Sequence, residues 1–423
     1  MLLAIVFGTR PEIIKLAPVI EGLRDERVEH YIIHTGQHYD YLLSDVFIRE
    51  LDIPEPDINI GVGSGTQAEQ VAIAMVELER EFEKIKPDAV VVLGDTNTTL
   101  AAALAAVKLE IPVAHIEAGL RSFDWSMPEE INRIIVDHCS CLLFAPSKVA
   151  AENLLAEGIP KQRIFLTGNT IVDSLKKNLH LINDSTLKHF GLKKKRYALL
   201  TLHRKENVDN KQRLRRLVSN ILKLRDKIIF PIHPRTKKRL KQLKLLDKLA
   251  GKVRIIEPLS YAEFLSLLKN ANYVLTDSGG VQEESFILGV PCITLRYNTE
   301  RPETVEAKAN FLVGGNDDLL MRSVEMAKET KVRYTGVYGY GGAGVKIARI
   351  LKKKCLGGLK VQISDQIKYG YPKVFLKSVK HLDDKISNDF EILEIFENSE
   401  LEFLEEIPKK GYVVLRKKCY ENW

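Results

Sequence analysis

Ionisable or glycine-rich residues follow six of the segments predicted to be strands, directly where each strand ends. They form six short stretches: Gly8-Thr9-Arg10-Pro11, Gly94-Asp95-Thr96-Asn97, Glu117-Ala118-Gly119, His203-Arg204, His233 with Arg235, and Asp277-Ser278-Gly279-Gly280. Ligands of an open parallel sheet bind beyond the carboxyl ends of its strands. The six strand ends therefore predict one site that combines acids, bases and anion-binding groups.

Four carboxylates and two arginines crowd the stretch that runs from His115 to Arg133. Glu117 ends a predicted buried strand just before a glycine, which favours a functional carboxylate. Asp95, in the earlier stretch Gly94 to Asn97, could serve the site or could cap a helix predicted to begin near Leu100. The other charges of the stretch are expected either to support the site or to be solvated; they are Arg121, Asp124 and Glu130.

Glu129 has two structural interpretations besides a functional one. Ser126 and Glu129 have the spacing of a capping box, in which the two residues close the first turn of a helix. Glu129 and Arg133 also stand four apart on one predicted helix face, where a surface ion pair would contribute only about 0.3–0.5 kcal/mol. These alternatives stay open at this stage, and Glu130 is expected to project elsewhere.

Several other residues are typical of anion binding. The stretch Asp277 to Gly280 precedes a predicted helix, and its small residues let backbone N–H groups approach a phosphate or pyrophosphate. A simple tight turn at its two glycines is the alternative. His203 beside Arg204 is a candidate anion contact, although a lone histidine is more often a packing residue. Arg301 follows another strand and could clamp a charged or hydroxylated group.

These residues are positioned by short apolar, β-branched runs that alternate with helix-like runs. Eleven runs are predicted strands: LLAIVF, HYIIHT, AVVVLG, VAHIEA, LLFAPS, RIFLTG, YALLTLH, IIFPIH, VRIIEP, YVLTDS and PCITLR. Continuous apolar strands are covered on both faces, and alternation with helices gives parallel, doubly wound sheets. The sequence therefore predicts an α/β protein with two such sheets, divided near Thr167 to Ser174.

The composition is that of a globular protein of two domains, with 423 residues, 45% of them hydrophobic and 28% charged. No apolar run approaches the roughly 18 residues of a membrane span, and MLLAIVF is interpreted as a first strand, not a signal peptide. Five sparse cysteines indicate reduced thiols and a cytoplasmic location. The net charge of +7 suits a polyanionic small substrate. Its basic patches lack the interleaved aromatics expected for nucleic acid.

Two further patterns are not taken as binding sites. Gly339 to Gly344 fits G-x-G-x-x-G, but no convincing strand precedes it, which argues against a nicotinamide cofactor. Cys139 and Cys141 lack zinc-ligand spacing and a second pair, so core packing is favoured. There is no P-loop, nucleophile elbow or histidine pair at zinc spacing. We therefore expect neither a cofactor nor a metal.

Seven motifs, in this order, resemble those of the non-hydrolysing UDP-N-acetylglucosamine 2-epimerases: FGTRPEIIKLAP, GDTNTTLAAALAA, HIEAGLRSFDWSMPEEINR, GNTIVDSL, LTLHRKEN, LTDSGGVQEES and TERPETVEA. The resemblance covers roughly residues 1–351. It implies two Rossmann-like domains facing across a cleft, as in the GT-B fold. These would be residues 1–170, joined by a returning helix at about 342–356, and residues 171–341. Residues 357–423 form an appended tail outside the resemblance, and a homodimer is expected.

The resemblance implies inversion of C2 of UDP-GlcNAc to give UDP-ManNAc, through anti elimination of UDP to 2-acetamidoglucal and its re-addition. The positions that match catalytic residues are Asp95, Glu117, Glu129 and His203. The positions that match binding of the UDP-sugar are Arg10, Lys15, Arg133, His233, Phe264, Ser278, Gly279, Gly280, Glu284 and Arg301. Among these, Phe264 matches a position near the uracil and Glu284 a contact to the nucleotide.

The motifs also bear on other functions of the same architecture. A hydrolysing relative would release ManNAc and UDP, but such relatives usually differ at GDTNTT and EAGLRS. A GT-B glycosyltransferase needs fewer carboxylates, and a non-catalytic nucleotide-sugar sensor could dispense with them. These motifs fit an epimerase that acts on a UDP-2,3-diacetamido-uronic acid as well as one that acts on UDP-GlcNAc.

Overall fold

The structure is a computed structural model that describes residues 1–36 and 55–356, which form two parallel sheets flanked by helices. The first sheet contains β1 (Leu2–Phe7), β2 (Glu29–His34), β3 (Ile58–Asn59), β4 (Ala89–Leu93), β5 (Val113–Ile116), β6 (Leu142–Ala145) and β7 (Ile164–Leu166). The second contains β8 (Ala198–Leu200), β9 (Ile228–Pro231), β10 (Val253–Ile256), β11 (Tyr273–Thr276), β12 (Cys292–Thr294) and β13 (Asn310–Leu312). Their spatial orders are 3-2-1-4-5-6-7 and 10-9-8-11-12-13, which is the doubly wound arrangement.

Helices follow most of the strands and cover both faces of each sheet. Those before β8 are α1 (Arg10–Asp25), α2 (Gln67–Ile85), α3 (Asn97–Lys108), α4 (Pro128–Cys139), α5 (Lys148–Ala156), α6 (Thr170–Asn178) and α7 (Asp184–His189). Those after β8 are α8 (Lys205–Val208), α9 (Lys211–Lys223), α10 (Pro234–Gln242), α11 (Leu246–Ala250), α12 (Tyr261–Asn270), α13 (Gly279–Ile287), α14 (Pro302–Glu306), α15 (Asp317–Glu329) and α16 (Ala343–Leu356). Two 3₁₀ turns span Lys161–Arg163 and Leu179–Leu181.

Strand β4 shows why the strands are continuous apolar runs. Successive side chains of a strand point to opposite faces. Ala89, Val91 and Leu93 pack into one hydrophobic core, whereas Val90 and Val92 pack into another. Helices bury both faces, so every residue of this strand is apolar, and the predicted fold class is confirmed.

All eleven predicted strands are present, and the two that the sequence did not reveal are short. β3 has two residues and β13 has three. β3, with two residues, shows no periodicity of its own, and pairing with β2 and β12 identifies β3 and β13 as strands. The predicted tail at 357–423, including Cys419, lies outside the described residues. A membrane-crossing helix is not found in residues 1–36 or 55–356.

Helix α16 returns to the first sheet and packs closely on α1. A Cβ atom on Gly22 would lie 3.1 Å from that of Ala348, and one on Gly344 would overlap the backbone carbonyl of Pro18. Arg349 Nε lies 2.9 Å from Glu26 Oε1 and adds an exposed ion pair. Glycines at the crossing therefore let the two helices approach.

The variant Gly344→Ala tests this crossing. Alanine normally stabilises a helix by about 1 kcal/mol relative to glycine, but the overlap with Pro18 should reverse the sign and destabilise the protein by about 1–3 kcal/mol. Urea denaturation of the wild type and the variant measures the difference. Val345→Ala, at a partly exposed neighbour, serves as the control and should change stability little. A stabilised Gly344→Ala protein would contradict the close packing.

Candidate active site

Side chains that follow strands of the first sheet pair directly with side chains from the second. Lys15 Nζ of α1 lies 3.0 Å from Glu283 Oε2 of α13. Arg133 Nη2 of α4 lies 3.2 Å from Glu300 Oε1, which follows β12. The carboxyl ends of the two sheets therefore line one cleft, and oppositely charged groups meet across it.

Asp95, directly after β4, is gripped by Arg133. Its Oδ2 accepts hydrogen bonds from Arg133 Nη2 at 2.6 Å and Nε at 3.0 Å. Burial would raise the pKa of Asp95, but Arg133 and Arg204 hold it below its ordinary value. Asp95 is not the helix cap considered above, because α3 begins at Asn97 and is capped by Thr96. It is an ionised carboxylate oriented by a guanidinium.

Arg133 itself is shared among three carboxylates. Besides Asp95, it donates to Glu130 Oε2 at 2.5 Å and to Glu300. Glu300 also accepts from Arg296 Nη1 at 2.9 Å and Nη2 at 3.0 Å. Burial would raise the pKa of Glu300, but Arg133 and Arg296 keep it well below its usual range. This buried chain of charges fixes the position of the group that holds Asp95.

Glu117 ends β5 with a left-handed backbone, at a φ of 67°. For a residue with a side chain, this conformation costs about 1–3 kcal/mol, and such strain clusters at functional sites. Its Oε1 accepts from Lys15 Nζ at 2.5 Å and from Asn169 Nδ2 at 3.0 Å. Burial lowers the pKa of Lys15, but Glu117 and Glu283 outweigh that effect and raise it above its ordinary value. Lys15 is therefore a buried cation held against Glu117.

Glu129 does not close a capping box, so that interpretation is wrong. Helix α4 begins at Pro128 without a side-chain cap, and Ser126 Oγ donates to Asp124 Oδ1 at 2.6 Å instead. Glu129 Oε1 accepts from Arg204 Nη1 at 2.9 Å, across the cleft. The alternative surface pair with Arg133 is also wrong, because Arg133 is buried and turned towards other carboxylates.

The stretch around Glu129 also contains charges whose role the sequence left open. Glu130 is buried and accepts from the backbone N–H of Ser122 at 2.9 Å and of Phe123 at 2.8 Å, which shapes the loop before α4. Arg121 is buried and pairs with Asp137 at 2.7 Å. Both are supporting groups and are not solvated.

His203 follows β8 and faces Asp277, with 3.4 Å between Nδ1 and Oδ1. Partial removal from water lowers the pKa of His203, and Asp277 offsets only part of that effect. The His203 imidazole therefore gives up its proton more readily than an ordinary histidine, which suits a hydrogen-bonding role. The ring of His233 lies 6.1 Å away, and its Nδ1 accepts from Arg235 N to cap α10.

The predicted anion cradle lies at the start of α13. The helix begins at Gly279, directly after Ser278. A Cβ atom on Gly280 would approach no neighbour closer than 4.0 Å, and one on Gly279 would lie 3.7 Å from Glu300 Oε2 and 3.8 Å from Arg301 Cζ. Packing thus does not require glycine here. The open backbone N–H groups at the helix start and the Arg301 guanidinium adjoin the same space, which suits an anion.

Glu284 differs sharply from its neighbour Glu283, although both are buried. Glu284 Oε1 accepts from Tyr261 OH at 3.0 Å, and burial raises its pKa to about 7, against smaller opposing effects that include Arg10. Arg10 begins α1, and its Nη1 lies 3.5 Å from the Leu259 carbonyl. Phe264 lies on α12, partly buried against the core. Tyr261 and Arg10 thus lie close to Glu284, on the helix that the cradle begins.

The sequence matches the model of one known protein family over most of its length. The model described as UDP-N-acetylglucosamine 2-epimerase matches residues 21–352. The chain belongs to the UDP-N-acetylglucosamine 2-epimerase family. The resemblance carried by the seven motifs is confirmed.

Members of this family with assigned activities match nearly their whole length. The chain is 54% identical over 361 residues to the UDP-N-acetylglucosamine 2-epimerase of Methanocaldococcus jannaschii, covering 83% of this chain and 99% of that one. A structure of the M. jannaschii UDP-GlcNAc 2-epimerase in complex with UDP-GlcNAc and UDP matches with a TM-score of 0.81 and 53% identity, over 84% of this chain and 100% of that chain. The UDP-2,3-diacetamido-2,3-dideoxy-D-glucuronate 2-epimerase of Pseudomonas aeruginosa is 39% identical, over 82% of this chain and 98% of its own.

Three buried residues of this epimerase-family cleft escaped the sequence analysis as site residues. Glu283 accepts from Lys15, and Glu300 accepts from Arg133. Asn169 donates to Glu117. Glu283 and Glu300 adjoin recognised positions in the motifs VQEES and TERPE, which was the available signal. Among the described residues, no group of three or more His, Cys, Asp and Glu side chains is arranged to hold a metal ion.

Proposed function

We propose that the protein interconverts UDP-GlcNAc and UDP-ManNAc by inversion at C2, without releasing free sugar. The observation that carries the proposal is the cleft in which Asp95, Glu117 and Glu129 each pair with a cation. Support also comes from relatives that are named UDP-N-acetylglucosamine 2-epimerase and match over nearly their entire length. A binding protein would not need three oriented carboxylates in one cleft.

The first step breaks the bond between C1 and the oxygen of UDP. The electron pair leaves with UDP, a carboxylate takes the C2 proton, and a C1–C2 double bond forms in 2-acetamidoglucal. UDP departs with two to three negative charges, and a cation 4 Å from one such charge contributes on the order of 4 kcal/mol at an effective dielectric constant near 20. Arg10, Lys15, Arg301 and the start of α13 would stabilise that anion.

The second step reverses the first on the opposite face of C2. A protonated group delivers a proton to C2, and the UDP oxygen re-forms the bond to C1, so the reaction balances without an oxidant or reductant. Each positioned acid or base contributes about 10²–10⁴-fold. Asp95, Glu117 and Glu129 are the proposed proton-transfer groups, and His203 is a proposed hydrogen-bonding partner of the leaving group.

Incubation with UDP-GlcNAc in D₂O, followed by proton NMR, tests the proposal. We expect UDP-ManNAc to appear with deuterium at C2 and with little free sugar. Accumulation of ManNAc and UDP would identify a hydrolysing enzyme. Absence of any change would contradict activity on UDP-GlcNAc.

A second candidate substrate is a UDP-2,3-diacetamido-uronic acid. The match to the P. aeruginosa enzyme of that specificity, at 39% identity over 355 residues, favours testing it. The same NMR assay with that sugar nucleotide gives the ratio of kcat/KM for the two substrates. If kcat/KM is higher for the uronate, the uronate replaces UDP-GlcNAc as the proposed substrate.

We also propose that the protein is a homodimer joined through neighbouring helices α2, α3 and α4. Apolar side chains on these helices are about two-fifths exposed or more: Ile73, Val76, Val107 and Ile131. Exposed apolar surface of this kind often marks a protein contact.

The double variant Ile73→Glu and Val76→Glu should shift the protein from the mass of two chains to that of one, measured by light scattering after gel filtration. Charges placed in an apolar contact lose water without gaining partners. Leu319→Glu, on α15, is a control with similar exposure. A wild-type monomer, or a double variant that stays dimeric, would contradict this contact.

A further inference from the structure

Glu283 is a fully buried carboxylate to which the proposed reaction assigns no role. It accepts from three donors: Lys15 of α1, Asn169 between β7 and α6, and Arg301 after β12. Burial would raise the pKa of Glu283, but Arg301 and Lys15 hold it below its ordinary value. An ionised carboxylate in this position thus joins a cation from each side of the cleft.

Asn169 connects Glu283 to Glu117. Its Nδ2 donates to Glu283 Oε1 at 2.9 Å and to Glu117 Oε1 at 3.0 Å. Its Oδ1 accepts from Ile171 N at 3.0 Å, which fixes the orientation of the amide. Both amide hydrogens are therefore used, one for each carboxylate.

Lys15 connects the same two carboxylates a second time. Its Nζ lies 2.5 Å from Glu117 and 3.0 Å from Glu283. Two cations, Lys15 and Arg301, balance these two carboxylates. If Glu283 lost its charge, Lys15 would be drawn more fully to Glu117, and Arg301 Nε would face a neutral acceptor in place of a carboxylate.

We propose that Glu283 is a positioning residue for epimerisation, an inference that rests on the proposed function. It holds Lys15 and Arg301 on opposite sides of the cleft, and it shares the Lys15 ammonium group with Glu117. Its contribution is geometric and electrostatic, because it acts through these neighbours.

The variant Glu283→Gln should lower kcat roughly tenfold to a hundredfold, because Lys15 and Glu117 would shift from the geometry that the reaction needs, and small displacements of that kind cost rates of that order. UDP should bind with an unchanged or smaller Kd, since one fewer carboxylate competes for Lys15 and Arg301. Glu283→Asp keeps the charge and should give an intermediate kcat. A residue needed only for folding would instead weaken UDP binding together with turnover.

The experiment measures kcat and KM by NMR, the UDP Kd by calorimetry, and the melting temperature, for both variants and the wild type. Glu81→Gln is the matched control, because Glu81 is also buried and pairs with Lys84 at 2.8 Å, away from the cleft. It should leave kcat and the UDP Kd unchanged.

An unchanged kcat in Glu283→Gln overturns the inference, as does a UDP Kd that weakens in step with kcat. If Glu283→Gln does not fold, the kcat and the UDP Kd of Glu283→Asp decide the question in the same way. Wild-type turnover tests the proposed function separately. UDP binding needs no turnover, so a Kd weakened more than about tenfold in Glu283→Gln overturns the positioning role even if the wild type is inactive.

Discussion

Replacing Glu117 with glutamine should lower kcat for C2 epimerisation by about 10²–10⁴-fold. Glutamine keeps the size of the side chain, and its carbonyl can still accept from Lys15 and Asn169, which now lie 2.5 Å and 3.0 Å from Glu117 Oε1. It cannot take up or deliver a proton. UDP binding should persist, because the loss of a carboxylate leaves Lys15 more available to the diphosphate.

Turnover by NMR and the UDP Kd by calorimetry check this expectation. Glu152→Gln, on the exposed side of α5, is the control and should behave as the wild type. A Glu117→Gln protein that loses UDP binding as completely as turnover would move Glu117 from proton transfer to nucleotide binding.

Asp95→Asn and Glu129→Gln in the same assay assign the two faces of C2. A variant that lacks the group removing the proton from UDP-GlcNAc should incorporate no deuterium. A variant that lacks only the group on the opposite face can still eliminate UDP and return the proton to the original face. It should place deuterium in UDP-GlcNAc without forming UDP-ManNAc. If both variants keep the wild-type rate, neither carboxylate transfers the proton.

The sequence predicted the strands well because each buried strand carries its own signal. The five residues of β4 are all apolar, since helices cover both faces of the sheet. β3, with two residues, is too short to carry that signal, and its pairing with β2 identifies it as a strand. The same reasoning led to the candidate site, since Asp95 and Glu117 directly follow such strands.

The pairing within the site could not be predicted from the sequence. Lys15 and Glu283 lie 268 positions apart, and no local pattern indicates that they meet. Local patterns also misled where a competing contact was stronger. Ser126 and Glu129 have capping-box spacing, but Arg204 from the other side of the cleft is the partner of Glu129. The roles of most binding residues came from the family resemblance, and only the fold shows which of them touch.

Glu284 should make the protein less stable as pH rises, because the fold keeps this side chain protonated. Burial raises its pKa from 4.5 to about 7, so between these pH values the folded state binds one proton more than the unfolded chain. The contribution of this group is therefore fully present below about pH 4.5 and is lost as pH rises through 7. The difference amounts to about 3 kcal/mol in the free energy of unfolding.

Glu284→Gln should remove this dependence, since glutamine stays neutral and can still accept from Tyr261 OH, which lies 3.0 Å away. Relative to the wild type, the variant should gain about 2.5 kcal/mol of stability between pH 5 and pH 8, because the unfolded carboxyl is already partly ionised at pH 5. Urea denaturation of both proteins at the two pH values measures the gain. Glu152→Gln should show no comparable difference, and parallel changes in Glu284→Gln and the wild type would contradict the assignment.

The same substitution should weaken UDP binding at pH 8 by about tenfold to a hundredfold, because a hydrogen bond to a charged acceptor contributes about 1.5–3 kcal/mol. Calorimetry with UDP measures this change. The two expectations have opposite signs: neutralising Glu284 stabilises the fold and weakens the ligand. Its neighbour Glu283 is held ionised by Lys15 and Arg301, whereas Glu284 accepts a hydrogen bond from the neutral hydroxyl of Tyr261. A carboxylate left in this costly position is expected to contribute to the binding of a nucleotide and not to the stability of the fold.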